Sequence, residues 1–131
     1  MKVKTGLKGE ASMEVIVDNT ALEMGSGSVP VFATPMLIAV MEKAAVNALE
    51  NCLEEGSSSV GVYVNCRHLA ATPVGMTIIA RAELVKVDGK RLIFRVEAFD
   101  ELEKVGEGEH ERFIINLDSF LQRSNKKKDR L

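Results

Sequence analysis

The chain has 131 residues, 46% hydrophobic and 27% charged, with 17 basic against 19 acidic side chains and a net charge of −2. That length and balance suit one domain with a full core and give no electrostatic footprint for nucleic acid. No run has the length and apolarity of a signal-peptide core or a membrane helix, so a cytoplasmic protein with no membrane and no nucleic-acid partner is expected.

Residues 11–18, ASMEVIVD, suggest a first strand. Residues 23–30, EMGSGSVP, form a Gly/Ser-rich connection. Thr34 and Pro35 then mark a helix start, Thr34 as N-cap and Pro35 at the first helical position, where a missing N–H costs nothing. The pattern predicts a helix to about residue 55, stopped by Gly56.

From residue 60 the period becomes two. In VGVYVNCRHL (60–69), Val60, Val62, Val64, Cys66 and His68 share one face. A second strand is expected over 76–87, and Asp88-Gly89 is a two-residue hairpin signal leading to 90–99. A last strand falls over 105–117, where Gly106 and Gly108 suggest a bulge or close backbone approach. The basic run NKKKDR (125–130) reads as a solvated, frayed tail. The expected organisation is one domain over 1–120 and a polar basic tail over 121–131.

One strand, one long helix and four strands on short turns imply an α+β fold, a curved antiparallel sheet against the helix. One helix cannot cover both sheet faces. The second face carries Ile79, Val85, Val87, Ile93 and Phe99, so subunits are expected to pair there, symmetrically.

Glu42 is the anomaly of the helix. At 100° per residue it falls among Ile38, Val46, Leu49 and Leu53, away from Lys43, Asn47, Glu50, Asn51 and Glu54. A buried carboxylate needs a partner or a proton, which makes Glu42 a site candidate. The alternative is a glutamate at the stripe's edge or in an oligomer contact. His68 lies on a strand face that should look toward the helix. A Glu42–His68 pair would satisfy both groups and form an acid–base site, although a lone histidine on an apolar face is more often a satisfied core residue. Thr34 would add a hydroxyl beside the free N–H groups of a helix start, which can hold an oxyanion. Thr34 and Glu42 are about 12 Å apart along a helix, so the favoured arrangement draws on two subunits.

Cys52 and Cys66 lack CxxC spacing and read as two core thiols in a reducing compartment. His68 and His110 lie far apart in sequence, and no metal-ligand cluster is visible.

VFATPMLIAVMEKAA (31–45), VNCRHLAATPVGM (64–76), ARAELVKVDGKRLIFRVEAFD (80–100) and GEGEHERFIIN (106–116) resemble the fluoroacetyl-CoA thioesterase family, and the element order resembles the hotdog fold. The resemblance covers residues 30–118. It implies an acyl-CoA thioesterase, a homodimer or dimer of dimers, with no cofactor, CoA being part of the substrate. It carries the family's catalytic threonine, glutamate and histidine onto Thr34, Glu42 and His68, and substrate-binding positions onto Gly61 and Arg112. Arg112 would meet a CoA phosphate, or be a strand-end surface charge; Gly61 could instead relieve crowding at a strand start. The family's aromatic lid is not matched by EMGSGSVPVF, where only Phe32 is aromatic, so a short- or medium-chain acyl group is expected. A hotdog hydratase or dehydratase, and a non-catalytic acyl-CoA binding module, are the alternatives.

Overall fold

The computed structural model describes residues 2–131. The strands are β1 (Lys8–Glu14), β2 (Ser57–His68), β3 (Thr77–Asp88), β4 (Arg91–Phe99) and β5 (Lys104–Asn116). They form one antiparallel sheet in the order β1-β3-β4-β5-β2. A short helix α1 (Ala21–Met24) precedes the long helix α2 (Thr34–Ala48). The chain leaves one sheet edge as β1, crosses the concave face as α2, and returns as β2 on the opposite edge. This is the expected hotdog arrangement.

The seat of α2 is chosen by small residues. A Cβ on Gly9 of β1 would lie 2.2 Å from the Ala44 carbonyl oxygen, so strand and helix meet backbone to backbone. The buried stripe is therefore Leu37, Val40, Met41, Ala44, Ala45 and Ala48. It packs on the inward residues Ile78, Ala80, Ala82 and Leu84 of β3 and Leu92, Phe94, Val96 and Ala98 of β4. Fully burying a Leu or Phe side chain contributes about 1.5–3 kcal/mol.

Several boundaries differ from expectation. The first strand starts earlier, at Lys8, and ends at Glu14; Val17–Asn19 is a 3-10 turn. Helix α2 ends at Ala48, because Asn51 takes a left-handed conformation (φ 61°) and the chain turns before Gly56. Asparagine is among the few non-glycine residues that tolerate this region. The hairpin loop is Gly89–Lys90, closed by the pair Asp88↔Arg91, with Gly89 at φ 61°. The basic tail is exposed, yet helical: α3 (Leu117–Lys126) is capped by the Asn116 side chain, with Asp118 in its first turn and Arg123 and Lys126 in its last, as the helix dipole favours.

The convex face is not the apolar surface that the sequence suggested. Ladders of charge run across its middle. Arg81 pairs with Glu10 at 3.1 Å, Arg95 with Glu83 at 3.0 Å, and Lys104 with Glu97 and Glu107 at 2.7 Å each. Arg81 also covers the Phe99 ring, 5.4 Å from its centroid. Apolar exposure remains at one end, at Val85, Val87 and Phe113. The long unpaired edge is β2, where Val62 and Tyr63 are half exposed.

Candidate active site

Thr34 is not the N-cap of α2. That position belongs to Ala33, and no side chain caps the helix. Thr34 sits one residue inside, and its hydroxyl lies 2.7 Å from His68 Nδ1. His68 ends β2 and points inward beside the helix start. Its Nε2 is buried and makes no hydrogen bond. Burial holds the imidazole below its ordinary value of 6.5, with the Ala70 backbone acting in the opposite direction. The ring is therefore neutral at pH 7 and can take a proton, at Nδ1 from Thr34 or at Nε2 from a group brought to it.

Glu42 does not meet His68 within the chain. Its side chain is 40% exposed and lies on the flank of α2 facing β2, not on the buried stripe. Its neighbours are Arg112 Nη1 at 3.8 Å and His110 Nε2 at 3.9 Å. Strand register explains the separation. His68 lies opposite Gly106, whereas Val64 lies opposite His110. Four residues of strand are about 13 Å, matching the eight helical residues between Thr34 and Glu42.

His110 is the member of this cluster that the sequence reading passed over. It is 1% exposed. Its Nδ1 lies 2.8 Å from the Tyr63 carbonyl, which can only accept, so Nδ1 carries the proton. Nε2 then offers a lone pair and accepts from Arg112 Nη1 at 3.1 Å. Burial lowers the His110 pKa, helped by the Arg112 charge and opposed by the Tyr63 carbonyl, Glu42 and Glu111. A neutral His110 makes no ion pair with Glu42; Arg112 is the cation there. The sequence signal was the spacing of His110 and Arg112, two apart on one strand face.

Arg112 is buried, not a strand-end surface charge. Its Nε donates to Ser59 Oγ at 2.8 Å and its Nη2 to the Ser59 carbonyl at 2.9 Å. Its three guanidinium nitrogens are thus engaged inside the fold, with Ser59, His110 and Glu42 around them. Gly61 faces the same cluster. A Cβ there would stand 2.8 Å from Glu42 Oε2 and 3.2 Å from His110 Cε1. Close approach, not strand-start crowding, accounts for the glycine.

The inward face of β2 carries a register shift between Gly61 and Tyr63. Val64, Cys66 and His68 keep the expected face, but Val60 and Val62 do not: the bulge at Val62 brings Ser59 and Gly61 inward instead. Glu42, Gly61, Val62, Tyr63, Val64 and His110 line an open groove of about 310 Å³. Two polar clusters thus lie along β2, Thr34 with His68 and Glu42 with Arg112 and His110, and they are the candidate half-sites.

The model of the fluoroacetyl-CoA-specific thioesterase family matches residues 15–118. The fluoroacetyl-CoA thioesterase of Streptantibioticus cattleyicolor is 44% identical over 90 residues, which are 69% of this chain and 65% of that protein. The match thus spans slightly under two thirds of that relative's length. Among solved structures, a variant of a fluoroacetyl-CoA thioesterase in complex with acetyl-CoA superposes with a TM-score of 0.89 at 34% identity, covering 95% of this chain and 98% of that one. A Thermus thermophilus hypothetical protein, described as a thioesterase superfamily member, superposes with a TM-score of 0.90 at 32% identity, covering 98% and 95%.

Proposed function

Because the chain belongs to the fluoroacetyl-CoA-specific thioesterase family, we propose that it hydrolyses a short- or medium-chain acyl-CoA to a carboxylate and free CoA. The observation that carries the reading is the Thr34–His68 contact, a hydroxyl 2.7 Å from a neutral imidazole at a helix N-terminus. Water adds to the thioester carbonyl carbon and gives its proton to His68, directly or through Thr34. The carbonyl oxygen, now negative, is met by the Thr34 backbone N–H at the start of α2, since Pro35 has none and the Met36 and Leu37 N–H groups donate to the Ala33 carbonyl. The carbon–sulfur bond then breaks and the His68 proton passes to the leaving CoA sulfur.

Glu42 enters from a second subunit in this reading, and the working form is a homodimer, alone or as half of a dimer of dimers. The unpaired β2 edges of two copies add antiparallel to each other. A two-fold axis near Asn65 lays His68 beside Gly61 of the partner subunit, and so beside the partner's Glu42. There the carboxylate orients and charge-stabilises the imidazolium, or attacks the carbonyl itself. The aromatic of the connection before α2, Phe32, is buried in the core. Exposed side chains there are aliphatic, Leu22, Met24 and Val29, which favours an aliphatic acyl group over fluoroacetate. The free cysteines Cys52 and Cys66 fit a reducing cytoplasm.

Thiol release from acyl-CoAs running from acetyl to octanoyl tests the activity, with His68→Ala and Glu42→Ala alongside. Mixing those two inactive variants tests the shared site. Hybrid dimers hold one intact site, so random exchange returns about a quarter of the wild-type rate. No thiol release from the wild type rejects the hydrolase, as a hydratase or a binding module would give. Active single variants reject the site, and a mixture without recovery rejects its sharing between subunits.

A further inference from the structure

Arg112, the buried cation of the Glu42 cluster, is committed inside the fold and is not free for the nucleotide end of CoA. Residues 117–131 carry five basic and two acidic side chains, while the remaining 116 residues are net negative. Among the described residues, Arg123, Lys126, Lys127, Lys128 and Arg130 take part in no ion pair within 4.0 Å. The helix dipole accounts for Arg123 and Lys126 in the last turn of α3. It does not account for the three that follow.

One face of α3 is more specific than a charged tail. Phe120, Arg123, Ser124 and Lys127 fall at i, i+3, i+4 and i+7, and line a groove of about 260 Å³. An aromatic ring, a guanidinium, a hydroxyl and an ammonium are the groups that take a purine base and its phosphates. The helix begins five residues after Arg112, on the β2–β5 pair that carries the Glu42 groove. A ligand with its reactive sulfur at that groove and a polyanionic nucleotide on a long arm matches the arrangement in charge and order.

We infer that the face formed by Phe120, Arg123 and Ser124 of α3 and by Lys127 at its C-cap is the subsite for the 3′-phosphoadenosine diphosphate end of acyl-CoA. Phe120 stacks on the adenine, and Arg123 and Lys127 meet the phosphates. This rests on the acyl-CoA reading above, and it adds where the nucleotide is held.

The test compares the wild type with an Arg123→Gln, Lys127→Gln double variant on acyl-CoA and on the matching acyl-pantetheine, which lacks the nucleotide. Each lost charge-assisted contact is worth about ten-fold. The expected result is a KM for acyl-CoA raised by ten-fold or more with kcat unchanged, and no change on acyl-pantetheine. An unchanged KM for acyl-CoA, or equal losses on both substrates, overturns the subsite. CoA binding by calorimetry separates this from the activity. If neither substrate is hydrolysed but CoA affinity falls ten-fold in the variant, only the hydrolase reading fails. If CoA affinity is the same in both, the subsite fails whatever the activity. Vesicles containing phosphatidylserine are the control. Wild-type binding to them that the variant loses, with KM unchanged, assigns the helix to a membrane surface instead.

Discussion

The Thr34 hydroxyl is bonded to His68 Nδ1 at 2.7 Å and to nothing in the helix it begins. This separates a capping threonine from a working one. Loss of an N-cap side chain costs about 1 kcal/mol of stability. Thr34→Ala is expected to change the denaturant midpoint by less than that, because no capping bond is lost. The same substitution is expected to lower kcat for thioester hydrolysis by about 10²-fold or more, and Thr34→Ser to retain most of the rate. Equilibrium unfolding beside thiol release makes the comparison. A variant that loses stability but keeps its rate returns Thr34 to a structural role.

The two histidines set a pH dependence whose sign follows from burial. Both are held below the ordinary 6.5, chiefly by desolvation. The unfolded chain therefore binds more protons than the folded one from about pH 6.5 downward to the depressed folded values. In that window stability rises with pH. It is full above 6.5 and is lost as pH falls through the folded values. The acid limb of kcat/KM, which needs neutral His68, lies below 6.5 for the same reason. Urea midpoints between pH 5 and 8 are expected to fall on the acid side, and to fall less in His110→Gln. A midpoint flat across that range removes the desolvation argument.

The hydrogen bond of His110 goes to Arg112, which in turn faces Glu42, and this makes His110 a candidate positioning residue. Gln at 110 places an amide oxygen where Nε2 accepts from Arg112, and Asn places an amide N–H where Nδ1 donates to Tyr63. The Gln variant is expected to keep kcat within a few-fold. The Asn variant leaves Arg112 Nη1 with a changed partner and is expected to lose about 10-fold or more in kcat, with KM little moved, at a stability cost of about 1–3 kcal/mol for the buried unpaired group. Equal kcat losses in the two variants mean that the acceptor at Nε2 is not what matters.

Much of this architecture is legible in the sequence. The Thr34-Pro35 helix start, the strand periods and the glycine turn after Asp88 are local signals, and each fell within a few residues of its place. What escaped was non-local or hidden by tolerance. Val60, Val62 and Val64 alternate cleanly in sequence, and valine is at home on either sheet face, so nothing in the letters marks the bulge at Val62 that turns Gly61 inward. Glu42 and His68 each looked in need of a partner, and pairing them was economical. Distance along helix and strand gave them different partners, Arg112 and Thr34. His110 was passed over because an isolated histidine in a sequence carries no register. Only the opposition Val64↔His110 puts it beside Glu42.

Gly61 offers a test of precision as opposed to stability. The atom a new Cβ would strike hardest is the far end of the Glu42 side chain, 2.8 Å away, a half-exposed carboxylate that can swing aside, while the buried His110 Cε1 at 3.2 Å has to give by only a few tenths of an ångström. Gly61→Ala is therefore expected to leave the denaturant midpoint within about 1 kcal/mol. The rate is another matter, since a displacement of about 1 Å in a positioned group can cost 10²-fold. A fall in kcat/KM with an unchanged midpoint supports a positional role for the glycine. If both are unchanged, the Glu42 position does not govern the rate.

The edge of β2 carries the last prediction. Its Tyr63 is half exposed, and its side chain accepts a single hydrogen bond, from Asn65 at 3.1 Å. In the proposed dimer, with its two-fold axis near Asn65, Tyr63 would face Arg67 of the partner subunit across the joined edges. A lysine at 63 then opposes a like charge twice per dimer, which disfavours pairing, while the separate chain keeps its fold because the site is on the surface. Tyr63→Lys is expected to sediment as a monomer at concentrations where the wild type is a dimer, with thermal unfolding still cooperative. Because Glu42 and His68 have different partners within one chain, that monomer is expected to lose hydrolysis along with its partner, and to regain it as concentration forces pairing. A folded monomer with the full wild-type rate means that one chain suffices, and that the two half-sites do not act together.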